Sequence, residues 1–170
     1  MGLDMYLKKH RYFSSLHRVE EGDKVKYKLF KSGTVTVTRT TEDGKEIKEV
    51  LPIENPDESL TLEMTVLYWR KANAIHKWFV DNVQDGEDNC GEYSVDITQL
   101  EELLKLCKKV KDNPKDAPEL LPTRSGFFFG STEYDKTYMD DIEYTIKSLE
   151  RVIKENEKSI HSWFTYSSSW

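Results

Sequence analysis

The chain has 170 residues, 37% hydrophobic and 33% charged, and a net charge of −6 at pH 7. A chain of this length is expected to form a single domain over residues 1–170, burying roughly 70% of its unfolded surface without disulfides or structural metal. Its composition is unlike that of a disordered chain, no apolar run approaches the ~20 residues that span a bilayer, and the acidic balance argues against a nucleic-acid binder, which needs a basic face.

In chain order, Leu3 to His10 alternates loosely and predicts a short strand, and Ser14 to Asp23 reads as loop. Val25, Tyr27 and Leu29, then Val35 and Val37, recur at period two and predict strands. Asp43-Gly44 lies between the β-branched run 34–41 and the segment 45–51, where Gly accepts the positive φ of a hairpin turn. The Thr, Lys and Glu of 24–51 suit a half-exposed, projecting accessory hairpin. Pro52 and Pro56 punctuate the chain after it.

Residues 66–92 carry the densest set of unusual side chains and read as one helix followed by an acidic loop. On a helical wheel Tyr68, Ala72, Ile75, Phe79 and Val83 form one buried stripe. Trp69, Asn73, His76 and Val80 lie on its shoulder, and Arg70, Ala74, Lys77 and Asp81 face water. Residues 81–102 hold eight acidic residues and no basic one. Such a helix either packs a second element through polar contacts or presents a ledge to a ligand.

Beyond the loop, Tyr93 to Val95 predicts a short strand, and Asp96 with Gln99 forms a capping box. The helix runs to about Lys111, with Leu100, Leu103, Leu104, Cys107 and Val110 on one side, and Asn113-Pro114 ends it. Phe127 to Phe129, between glycines, predicts a buried strand. A third helix runs from Asp135 or Thr137 to Lys158, and the aromatic tail from His161 to Trp170 is expected to dock as an edge strand. The fold expected is α+β: three helices on a small, mainly antiparallel sheet of the N-terminal strand, the 127–129 strand and the tail.

The loop from Asp81 to Glu92 has the length of a calcium-binding EF-hand loop, with Asp81, Asp85, Gly86 and Glu92 in register. Val83 stands where an oxygen ligand is needed, and Asp88 where an apolar residue belongs. Asp81, Asp85 and Glu92 are thus candidate cation ligands in an alternative reading only, and no cofactor is predicted. His76, Cys90 and Glu92 offer a second metal set, and His76 with Cys90 a base and nucleophile, but no CxxC, HExxH or oxyanion signature accompanies them. The segment from Thr123 to Ser131 combines Arg124, Ser125, Gly126, Gly130 and Ser131, types that hold phosphates, at a spacing that fits no phosphate-loop motif. Trp69, Phe127, Phe129 and Tyr134 could stack a base. Cys107 suits a core and Cys90 a loop, which points to a reducing compartment and a cytoplasmic protein.

The opening MGLDMYL, the segment YWRKANAIHKWFV, the CGEY loop, LLPTRSGFFFGSTEYD and the terminal YSSSW together resemble a family of small bacteriophage- and prophage-encoded proteins. The match covers both ends and most of 66–145, and the hairpin at 24–51 falls outside it. The resemblance implies expression in the cytosol of an infected bacterium and brings no catalytic residue set with it. The expectation is an accessory binding protein that counters a host function or defence system, by inhibiting a host protein or nuclease or by sequestering a nucleotide-sized ligand. Its surface would comprise Trp69, Asn73, His76, Asn89, Cys90, Glu92, Arg124, Ser125, Ser131 and Tyr134. Alternatives are a small metal-assisted enzyme acting on a nucleotide or phosphoester with His76 as acid/base, and a structural or regulatory homo-oligomer. Neither membrane association nor direct nucleic-acid binding is expected.

Overall fold

The computed structural model describes the backbone of residues 2–13, 16–21, 24–29, 33–40, 46–53, 60–157 and 162–170, and the side chains of 2–12, 61–157 and 162–170. The chain forms two compact units, one of residues 1–11 with 62–170 and the other of residues 12–61.

The larger unit is α+β. Its sheet has the order β6-β1-β8-β7, from β1 (Asp4–Phe13), β6 (Leu60–Arg70), β7 (Glu92–Val95) and β8 (Ser162–Ser169). β8 runs antiparallel to β1, with Asp4 opposite Ser169 and Arg11 opposite Ser162, and antiparallel to β7, with Val95 opposite Phe164. The aromatic tail is therefore an internal strand and not an edge. The inward row of Leu3, Met5, Leu7, Leu67, Phe164 and Tyr166 is fully buried or nearly so.

Three long helices supply the rest of this core: α1 (Asn73–Asn82), α2 (Ile97–Asp112) and α4 (Lys136–Asn156), with the single turn α3 (Ala117–Leu120) between the last two. α2 contributes Leu100, Leu103, Cys107 and Val110, and α4 contributes Tyr138, Ile142, Ile146, Leu149 and Val152. Burial pushes the Cys107 thiol up to about 12, as expected of an inert core cysteine. At the start of α2 the Gln99 side chain accepts from Asp96 N–H at 2.9 Å, and its NH2 donates to Asn82 O at 2.8 Å, tying this cap to the end of α1. Asp135 caps α4 by accepting from Tyr138 N–H at 3.1 Å. Among the described residues no helix is long and apolar enough to cross a membrane.

The predicted helix through 66–83 is corrected at its start. Leu60–Arg70 is strand and the helix begins only at Asn73. The strand alternates, with Leu67 and Trp69 inside and Tyr68 41% exposed, so Tyr68 leaves the helical stripe and its phenol donates to Asp4 instead. Ala74 is buried and not solvent-facing. The reason is the connection: Lys71 takes a left-handed φ of 61°, and Ala72 at φ −75°, ψ 68° forms an inverse γ-turn in which Asn73 N–H donates to Lys71 O at 2.8 Å. Strand and helix are thus welded by two residues, with neither Gly nor Pro to mark the boundary.

The strand expected at 127–129 is also absent. Phe129 N–H donates to Gly126 O at 3.2 Å and Gly130 has φ 88°, so the segment turns twice. A bond from Leu3 N–H to Phe128 O, at 3.2 Å, joins it to the start of β1.

In the smaller unit β2 (Leu16–Glu21) pairs antiparallel with β3 (Lys24–Leu29), and β4 (Gly33–Thr40) with β5 (Glu46–Ile53). The loop expected from 14 to 23 therefore contains a strand. The Asp43-Gly44 turn lies outside the described residues, as do Ser32, Pro56 and Lys158.

Phe79 stacks flat on Tyr166 with ring centroids 3.9 Å apart and is fully buried. Phe79→Ala is expected to cost about 3–5 kcal/mol of unfolding free energy, whereas Tyr144→Ala, on an exposed side chain, should stay within about 0.5 kcal/mol of the parent. Chemical denaturation of the three proteins checks the contrast.

Candidate functional site

The side chains singled out on α1 converge with two loops and the C-terminal strand. His76 is fully buried on the inner face of α1. Its Nδ1 lies 2.8 Å from the Tyr166 hydroxyl and its Nε2 lies 3.1 Å from Asp88 Oδ2. Burial and the charge of Asp88 hold the Tyr166 phenol well above its ordinary pKa, so it keeps its proton and donates to Nδ1. A carboxylate only accepts, so Nε2 carries the imidazole proton, and this one neutral tautomer satisfies every partner. Asp88 continues the chain: Oδ1 accepts from Trp170 Nε1–H at 3.0 Å, and Arg124 stands 3.4 Å from Oδ2. Phe129 closes the ring edge-on at 5.2 Å.

Asn73 performs the second junction. Its NH2 donates to Phe129 O at 3.0 Å and to Ser131 O at 2.8 Å, while its Oδ1 accepts from Arg124 N–H at 3.2 Å. One amide therefore pins both ends of the 124–131 loop to the first turn of α1. Gly126 is required there, since a Cβ would lie 2.6–2.8 Å from the Phe129 ring. Between the pinned ends Phe127 stands 94% exposed.

Of the residues expected at the site, Asn73, His76, Arg124 and Ser131 are brought together. Ser125 is exposed on the same loop, and Tyr134 lies at its far end, where its hydroxyl accepts from Thr123 N–H at 3.3 Å. Trp69 is not beside them: it is buried in β6 and donates to Thr145 Oγ1 at 2.9 Å. Asn89 braces its own loop, accepting from Gly91 N–H and from the Tyr93 hydroxyl. Cys90 is exposed at φ 57° and forms no hydrogen bond with His76, and Glu92 pairs with Lys8 at 3.1 Å. Asp81 lies within α1 and pairs with Lys77, and Asp85 is exposed at φ 52°. No group of three His, Cys, Asp or Glu among the described residues is placed to hold a metal ion.

Asp88, Phe129 and Tyr166, the partners of His76, and Trp170, which bonds Asp88, are not among the site residues expected from the sequence. The apolar register of EF-hand loops drew attention to Asp88 only as a misfit. The signal available for Tyr166 and Trp170 was an aromatic content too high for a free terminus.

Chemically, this arrangement orders segments. Both imidazole nitrogens are bonded and the ring is sealed from water, so it offers no lone pair to a substrate. No protein-family model, curated protein or solved structure matches the chain.

Two outcomes follow. Asp88→Ala strands the buried imidazole N–H, and is expected to cost about 2 kcal/mol, read as a melting temperature lower by about 4–8 °C. Burial lowers the His76 pKa, against the opposing pull of Asp88. The unfolded chain therefore takes this proton first as pH falls below about 6.5. The stabilisation from neutral His76 is complete above that pH and is lost on acidification toward the lower folded value. His76→Gln should flatten this part of the stability profile, measured by denaturation at successive pH values.

Proposed function

We propose that this chain is a bacteriophage-encoded accessory protein that acts in the cytosol of an infected bacterium by binding a host protein and blocking its function. The observation that carries the reading is Phe127, 94% exposed at the tip of a loop clamped at both ends by Asn73. Burying a phenylalanine side chain contributes about 1.5–3 kcal/mol, and an aromatic anchor on a preordered loop loses little entropy when it docks. The acidic turn lies beside this loop, linked to it by the Asp88–Arg124 pair, and carries exposed Asp85 and Glu87. A complementary partner has an apolar socket next to basic side chains.

The same contacts weigh against the alternatives. A nucleotide sequestered through Arg124 would compete with Asp88 for the guanidinium, and of the four stacking candidates Trp69 and Phe129 are buried while Phe127 and Tyr134 are exposed. A metal-assisted enzyme using His76 would have to break a satisfied, buried hydrogen-bond chain. The family resemblance of the 66–145 segment supports the phage setting.

A photo-crosslinking residue placed at position 127 in bacteria expressing the chain should capture one host protein, and the same residue at position 144 should not. Phe127→Ala should weaken the captured complex by about 2 kcal/mol, roughly thirtyfold, at an unchanged melting temperature. Equal capture from both positions, or an unaltered affinity, removes the reading.

A further inference from the structure

A cleft of about 120 Å³ opens between the β6–α1 connection and the first turns of α4. Its lining includes the exposed Arg70 and Lys71 of the β6–α1 connection, the exposed Glu133 and the half-buried Asp141 before and on α4, and the apolar Ile75 and Ile142. The Lys71 stem is confined: a Cβ on Gly2 would lie 3.3 Å from its Cε, and one on Gly130 would lie 3.2 Å from its Cβ. The Lys71 backbone itself holds a left-handed φ of 61°, a conformation that costs of order 1–3 kcal/mol in a residue other than glycine.

These charges do not neutralise each other. Among the described residues, the side chains of Arg70, Lys71, Glu133 and Asp141 form no ion pair or hydrogen bond. Asp141 is half-buried, and burial together with the charges of Asp140 and Asp135 raises its carboxyl to about 6. A half-buried carboxylate without a counter-ion destabilises the fold, and groups of this kind in a cleft cluster at ligand-binding sites.

We infer that this cleft binds a short zwitterion of amino-acid size, its carboxylate facing Arg70 and Lys71 and its ammonium facing Asp141 and Glu133. Its aliphatic part would cover Ile75 and Ile142. Such a molecule supplies the basic pair and the acidic pair each with the opposite charge, which the protein's own side chains leave unmet. This site stands independently of the Phe127 surface and of the host-protein reading.

The test is an NMR titration of the purified chain with glycine, β-alanine and γ-aminobutyrate, with acetate and methylamine as single-charge controls. At least one zwitterion should shift the amide resonances of Lys71, Gly130 and Asp141 saturably, at least tenfold more tightly than either control. Asp141→Asn and Lys71→Met should each weaken that binding at least tenfold. Asp141→Asn should also raise the melting temperature at pH 7. The folded carboxyl holds a proton that the unfolded chain has lost between about pH 4 and pH 6, so this gain shrinks as pH falls through that window. Loss of binding with a gain in stability separates a ligand-binding carboxylate from a structural one. No saturable shift with any of the three, equal binding of acetate or methylamine, or undiminished binding by both variants overturns the inference.

Discussion

His76 joins parts of the larger unit that sequence separates widely. A buried imidazole must satisfy two nitrogens, one as donor and one as acceptor, and here the acceptor side is met by Tyr166 in the last strand and the donor side by Asp88 in the acidic loop. Through Asp88 the same chain reaches Trp170 and Arg124. Because water is excluded from the imidazole and the Tyr166 hydroxyl, either of the two His76 bonds left unmade would carry the full desolvation penalty of its polar group. The helix, the loop, the C-terminal strand and the 124–131 segment therefore hold one another in register. The residue types of a catalytic relay, Asp, His and Tyr, are joined here with the imidazole buried and both of its nitrogens bonded.

Asn73 does for one loop what His76 does for the whole. Three hydrogen bonds from a single amide fix the two ends of 124–131, and the two glycines let the segment turn tightly between them. The loop can then present a phenylalanine to water without collapsing onto the core. The β6–α1 connection places Asn73 where it can do this, and the left-handed Lys71 in that connection also lines the charged cleft. Order around Asn73 thus supports two exposed features: an apolar tip, and a cleft whose opposite charges remain apart.

Local signals were read well where a single local rule decides the outcome. The alternation in 3–10 and the β4–β5 pairing around 43–44, the start and stop of α2 and the periodicity of α4 all follow from side-chain spacing and capping chemistry. The misreadings have one cause. Residues 66–70 fit a helical wheel because Tyr68 and Trp69 can be placed on adjacent stripes, but pairing with β1 rewards alternation instead. The run 127–129 looks like a strand by composition, yet the bond from Phe129 N–H to Gly126 O and the demands of Asn73 make it a turn. The tail was expected to dock at an edge, and its central place depends on β7 pairing along its other side.

Sequence by itself determined the α+β class, the helical faces of α2 and α4 and the burial of Cys107. These depend on neighbours a few residues apart, whose periodicity is visible in the chain. Tertiary structure alone decided that His76 takes Asp88 and Tyr166 in place of Cys90 and Glu92, that Phe127 points to water while Phe129 is buried, and that Arg70, Lys71 and Asp141 line one cleft. Those choices join residues 12 to 90 positions apart, and they turn on which polar groups can be satisfied once the core has excluded water.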